Sequence, residues 1–307
     1  MIDDLTIFAK VQRQIEQDIA ARIDEHRAKV TNFQKAARVT GAASQPVYTA
    51  VAVGDSWFDY PLFNDIAVGN MDVIAQLEQM HGHQKFILRL AHHGDATTDM
   101  MSAPKQQRLI KVLSDRSLWI NGKPDAIFCS AGGNDVAGNQ FANFVNFNEG
   151  QPPSQGLNLS KFRKILGTVE ANYLTLLELR NRYAPDVRVY AHTYDFPMPD
   201  GQHPPCAGPW LKPSLDSRHW SVPEGKVIIT DALKRFRTML KRLANNPANR
   251  FSVIDTQGMF IDPIYRNDWV NELHPRDTGF KRIAAKFDPF WMRMLREEGS
   301  LEDLPMS

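Results

Sequence analysis

The chain has 307 residues, a formal net charge of +1 from 36 basic and 35 acidic residues, and 43% hydrophobic content. That is the mix of an ordinary globular protein, and the balanced charge gives no global field toward nucleic acid or an anionic membrane. Two cysteines, Cys129 and Cys206, make neither a disulfide framework nor a metal site, although pairing between them stays open.

The N-terminus lacks a basic n-region, an apolar core and a small-residue cleavage site, so no secretion signal is visible. No apolar stretch is long enough to span a bilayer. The expectation is a cytoplasmic protein, with leaderless export open. Residues 1–45 read as a helical arm. Leu5, Phe8, Val11, Ile15, Ile19 and Ile23 form one apolar stripe over residues 3–38. The arm suits packing on the main domain, and a homo-oligomer through this helix is the alternative.

Residues 46–307 read as one domain. Val47-Tyr-Thr-Ala-Val-Ala-Val53 alternates β-branched or aromatic residues with small ones and holds no charge, as a buried strand does, and it opens into Gly54-Asp55-Ser56. A helix is expected over 70–81, a strand over 86–91 ending in His92-His93-Gly94-Asp95, and a helix over 98–118. The strand Ala126–Ser130 ends in Gly132-Gly133-Asn134-Asp135. A polar insertion near 137–156 precedes a helix over 159–183 and a strand over 187–192. Residues 195–223 carry seven prolines with Trp210 and Trp220; so long a loop reads as a lid or binding loop. A helix over 224–243, a strand over 251–255 and a helix over 278–297 finish the chain. Strands alternating with helices predict a three-layer α/β/α sandwich around a five-stranded parallel flavodoxin-like sheet, order 2-1-3-4-5.

Three strands thus end in polar, glycine-containing turns on one edge of the sheet, where ligands bind in open α/β folds. Ser56 is either a helix N-cap or a nucleophile. The backbone N–H groups of Ser56 and Gly94 and the side-chain amide of Asn134 are candidate oxyanion donors. His274, held on an extended loop by Pro275, is the candidate base.

These four pieces resemble the blocks of the SGNH (GDSL-type) hydrolase family of esterases and lipases, in order over residues 47–280. The resemblance implies Ser56 as nucleophile, Gly94 and Asn134 as oxyanion donors with Ser56, and His274 as base. It implies no metal or organic cofactor. One position departs. The family usually has aspartate three residues before the histidine, and here that residue is Asn271. An amide can set the imidazole tautomer but stabilises an imidazolium less than a carboxylate does. Asp268 or Glu272 could substitute, and both read equally well as solvated loop charges.

The sequence therefore predicts a serine hydrolase acting on a small-molecule, glycan or lipid ester, with no nucleic-acid partner. The alternative is a decayed scaffold that binds or interacts without catalysis. Asp135 reads as a turn or cap acid. Adjacent His92 and His93 lack the carboxylate spacing of a metal site and read as pocket-lining or structural. Trp57, Phe58 and Tyr60 read as core, and His192, His203 and His219 as ordinary loop or strand-end residues.

Overall fold

A computed structural model describes residues 4–40, 47–60, 72–80, 85–203 and 208–297. Helix α1 (Asp4–Thr40) is followed by β1 (Tyr48–Gly54), α2 (Val73–Met80) and β2 (Lys85–Arg89). Next come α3 (Thr97–Met100), α4 (Ala103–Ser114), β3 (Ala126–Ser130), α5 (Gly133–Ala137), α6 (Leu159–Tyr183) and β4 (Arg188–His192). The chain ends with α7 (Lys212–Asp216), α8 (Val222–Ala244), β5 (Phe251–Ile254) and α9 (Asp277–Glu297).

The five strands form one parallel sheet in the order β2-β1-β3-β4-β5, as the alternation of elements predicts. β1 is buried along its whole length, which is why it reads as a continuous apolar run rather than an alternating one. Helices α2 and α9 pack on each other, and α4, α6 and α8 pack in succession, so the sheet lies between helical layers. No helix among the described residues is long and apolar enough to cross a membrane.

Local chemistry sets the element boundaries. The helix expected over 98–118 is three pieces: α3, α4 and a 3-10 turn at Arg116–Leu118. Pro104 sits in the first turn of α4 and cannot continue a helix from α3. Helix α8 starts two residues earlier than its periodicity suggests, because Ser221 and Glu224 form a capping box with Pro223 in the first turn. The insertion near 137–156 folds as 3-10 turns at Asn139–Phe144 and Pro153–Gln155, closed by a bridge between Val145 and Leu157.

Helix α1 lies along the edge strand β2 and the Arg116–Leu118 turn. Ile19 and Val30 are buried, His26 Nε2 bonds the Leu118 carbonyl at 3.0 Å, and Arg22 pairs with Asp59 at 3.0 Å. Val11, at the other end of the stripe, is exposed. Cys129 is a free thiol with no exposed surface, and burial pushes it up to about 12. It behaves as a small apolar filler. Cys206 lies outside the described residues.

Candidate active site

The site is built on the carboxyl ends of β1 and β3. These strands approach so closely that a Cβ on Gly54, at φ +130°, would stand 1.8 Å from the Ser130 carbonyl oxygen. Only glycine fits there. The Asp55 N–H then donates to that carbonyl at 2.7 Å, and the chain turns so that Ser56 faces the loop after β5.

Ser56 Oγ lies 2.7 Å from His274 Nε2. On the far side of the ring, Nδ1 lies 3.0 Å from Asn271 Oδ1. The same amide oxygen accepts the backbone N–H groups of Leu273 and His274, both at 2.9 Å. The Asn271 amide nitrogen donates to the Tyr60 hydroxyl at 3.1 Å. Two backbone donors can be met only by the oxygen, so the amide orientation is set by its surroundings. An oxygen has no proton to give, so Nδ1 must carry the ring hydrogen. Nε2 is then the lone-pair nitrogen, and it accepts from the Ser56 hydroxyl.

The histidine loop is held on several sides. Val270 N–H donates to the His274 carbonyl at 3.0 Å, and Trp269 bridges Pro275. Trp57 Nε1–H reaches across from the nucleophile turn to the Leu273 carbonyl at 3.2 Å. The Tyr60 and Trp210 rings lie 4.6 and 5.7 Å from the imidazole. His274 is buried, and burial, aided by the nearby charge of His93, pushes it down to about 3. It is neutral at physiological pH, the state a base requires.

Below Ser56 lies a buried polar network. The Ser130 hydroxyl and the Trp57 N–H donate to one oxygen of Asp55 at 2.6 and 3.1 Å, and the Tyr194 hydroxyl donates to the other at 2.5 Å. His192 accepts the Tyr194 N–H on Nδ1 at 3.2 Å, so its Nε2–H donates to Ser130 Oγ at 2.9 Å. Burial holds Asp55 up at about 6 and His192 down at about 3. Every partner in this chain has a defined donor or acceptor role, which makes a rigid floor under the nucleophile.

Of the residues expected from sequence, Ser56, His274 and Asn271 are brought into one hydrogen-bonded chain. Asn134 lines a small pocket with Ser56, Gly133, Ala137, Tyr194 and His274. One of its amide hydrogens is engaged by the Asp95 carbonyl at 2.9 Å. Gly94 stands in the turn after β2 at φ +80°, with open space where a Cβ would be; it does not line that pocket. The backbone N–H groups of Ser56 and Gly94 have no acceptor in the chain among the described residues.

Asp268 is not brought to His274. Its carboxylate pairs with Arg282 at 3.0 Å and accepts the Asp262 N–H at 3.2 Å, bracing the base of the loop. Glu272 is turned away as well, and it is fully buried. Its carboxylate accepts four backbone N–H groups: Gly201 (3.0 Å), Trp210 (2.7 Å), Leu211 (3.0 Å) and Lys212 (2.9 Å). The Pro/Trp-rich loop is thereby tied to the residue next to Asn271. Asp135 accepts the backbone N–H and hydroxyl of Thr97, both at 2.8 Å, linking the turns after β2 and β3. No three His, Cys, Asp or Glu residues cluster as a metal site would need among the described residues.

Tyr60 and Glu272 are the residues whose roles sequence reasoning misses. Tyr60 is four residues past Ser56 and carries no motif; Glu272 looks like any loop acid.

No protein-family model and no curated protein matches the chain. Among solved structures, the chain is similar to a lipase from a goat rumen metagenome, at 15% identity. That match covers 79% of this chain and 97% of that one, with a TM-score of 0.49. It is also similar to an extracellular lipase from Streptomyces rimosus (18% identity, 79% and 99% covered, TM-score 0.48). A third is a family 3 carbohydrate esterase from Clostridium thermocellum (15% identity, 83% and 100% covered, TM-score 0.46). Likeness at this level leaves the activity to be read from the side chains.

Proposed function

We propose that the protein is a serine hydrolase that cleaves carboxylic esters through an acyl-enzyme on Ser56, with His274 as base and Asn271 as its orienting group. The reading rests on one observation, the chain Ser56 Oγ to His274 Nε2 at 2.7 Å and His274 Nδ1 to Asn271 Oδ1 at 3.0 Å.

In the first step Oγ attacks the ester carbonyl while Nε2 takes its proton. The carbonyl oxygen becomes an oxyanion, met by the N–H groups of Ser56 and Gly94 and by the Asn134 amide. Collapse breaks the bond to the alcohol oxygen, which receives the proton from His274. Water then adds to the acyl-serine, giving its proton to the same nitrogen. The second collapse returns that proton to Ser56 Oγ and releases the acid. One water is consumed, and one acid and one alcohol are formed.

A decayed scaffold that only binds is the rival, with Asn271 as its symptom. The orientation of Asn271 favours the enzyme: its oxygen is fastened by two backbone donors, and its nitrogen by Tyr60, at the position that sets the base tautomer. The test is hydrolysis of p-nitrophenyl acetate by the full chain. Ser56→Ala and His274→Ala should each lower kcat/KM by about 1,000-fold or more, since the members act as a unit. Equal rates in wild type and both variants would remove the proposal.

A further inference from the structure

Resting on that ester-hydrolase reading, we propose that Arg22, Asp59 and His93 are positioning residues. Through them helix α1 fixes the turn that carries Ser56 against the turn that carries Gly94.

Asp59 stands between parts of the site. It is three residues past Ser56 and directly precedes Tyr60. The Tyr60 hydroxyl accepts from the Asn271 amide at 3.1 Å, and its ring lies 4.6 Å from the imidazole. The Asp59 carboxylate is buried and held from two sides. Arg22 of α1 pairs with one oxygen at 3.0 Å, and His93 Nδ1 lies 3.5 Å from the other. The same guanidinium donates to the Ala91 carbonyl, just past β2, at 3.4 Å. One arginine from outside the sheet thus touches the nucleophile turn and the chain leading into the Gly94 turn. Burial pushes Asp59 up, but His93 and Arg22 outweigh it and hold the carboxylate below its ordinary range. It stays charged and keeps both partners.

The Gly94 N–H belongs to the planar peptide unit that joins His93 to Gly94. Gly94, at φ +80°, has no side chain to anchor that unit, and glycine is the most permissive of residues. Its neighbours must therefore aim the N–H. On one side His93 is tied to Asp59 and stacks on His92 with ring centroids 4.3 Å apart. On the other, Asp95 pairs with Lys105 and lies 3.6 Å from His92. The His92 N–H donates to the Gly54 carbonyl at 2.9 Å and joins the two turns along the sheet. Arg22, Asp59 and His93 join them a second time, on the side of α1. An oxyanion donor counts only when it points to where the charge will develop, so this second link acts on the rate and not on substrate binding.

The experiment follows p-nitrophenyl acetate hydrolysis by the full chain at about pH 8, where His274 is neutral, with phenylboronic acid as a mimic of the tetrahedral state. In Arg22→Met and in His93→Ala, kcat should fall about tenfold to a hundredfold with KM within about threefold, less than the loss of a whole oxyanion donor. The inhibition constant of phenylboronic acid, whose adduct on Ser56 sets an oxygen among the same donors, should rise by the same factor. His93→Asn offers an amide N–H in place of the ring Nδ1–H and should recover kcat to within about threefold of wild type. Arg27→Met removes a different α1 ion pair, to Asp115 at 3.2 Å, that touches neither turn; it should leave kcat within about twofold. A buried carboxylate stripped of its arginine can unfold a protein. His93 is exposed, so His93→Ala carries the test should Arg22→Met not fold. Unchanged kcat in folded His93→Ala, a change confined to KM, a loss that His93→Asn does not recover, or an equal loss in Arg27→Met would overturn the proposal while leaving the hydrolase reading in place. A wild type that hydrolyses no ester would remove both.

Discussion

Asn271 and His274 are joined twice, by the backbone N–H of His274 at 2.9 Å and by its ring Nδ1 at 3.0 Å, both on the same amide oxygen. An asparagine with its oxygen pinned in this way can hold the imidazole in the productive tautomer as an aspartate would. It cannot supply the negative charge that steadies the imidazolium formed during attack.

Asn271→Asp should therefore raise kcat. The site already offers a carboxylate the backbone N–H groups of Leu273 and His274 and the ring Nδ1–H of His274. With the tautomer already correct, a gain of about tenfold to a hundredfold is expected, below the full effect of losing both tautomer and charge. The pH profile should move with it. A base works when unprotonated, so the wild type, with His274 at about 3, should show flat kcat/KM from about pH 5 to pH 8. A carboxylate at 271 raises the histidine, so the variant should lose activity as pH falls through the range of an ordinary imidazole. Stopped-time assays across this range on both proteins check it.

Glu272→Gln should destabilise the protein without touching the reacting atoms. The carboxylate accepts four backbone N–H groups with two oxygens, and an amide turns one of those acceptors into a donor. Two N–H groups then face an N–H₂ in a buried place, at a cost of about 3 kcal/mol. Urea unfolding at neutral pH measures it. A change below half of that figure would mean the loop after β4 is held by other contacts.

Helix α1 should loosen in acid through His26. Burial pushes this histidine from 6.5 down to about 4 while its Nε2 holds the Leu118 carbonyl. The unfolded chain takes up the proton first, so stability is full above about pH 6.5 and falls as pH drops toward 4. Across that window the loss is about 3 kcal/mol. His26→Gln keeps a donor without titrating, and its stability should be flatter over the same window. Parallel slopes for the two proteins in denaturant melts would contradict this.

Much of the architecture is legible before any coordinates. β1 and β3 are uncharged runs ended by glycine turns, and their burial leaves few other solutions. Ser56 and Asn134 follow the ends of such elements, so their convergence is a consequence of topology, whereas His274 stands on the loop just before α9. The contacts made by a tight turn are not legible in this way. The Val270–His274 loop folds back so that one amide oxygen meets three donors, and a tyrosine from the β1 side closes the arrangement; neither contact has a sequence signature. Glu272 and Asp268 look alike as loop acids, yet one receives four backbone donors and the other an arginine from α9. His192, an ordinary strand-end residue by sequence, lies inside the network under Asp55 because β4 runs beside β3.

The most direct measurement is the intact mass of the protein after incubation with a fluorophosphonate, with peptide mapping of the adduct. One stoichiometric adduct on Ser56, absent in His274→Ala, is the predicted result. A folded wild-type protein that gains no mass, or gains it at another residue, would contradict the assignment of Ser56 as an activated nucleophile.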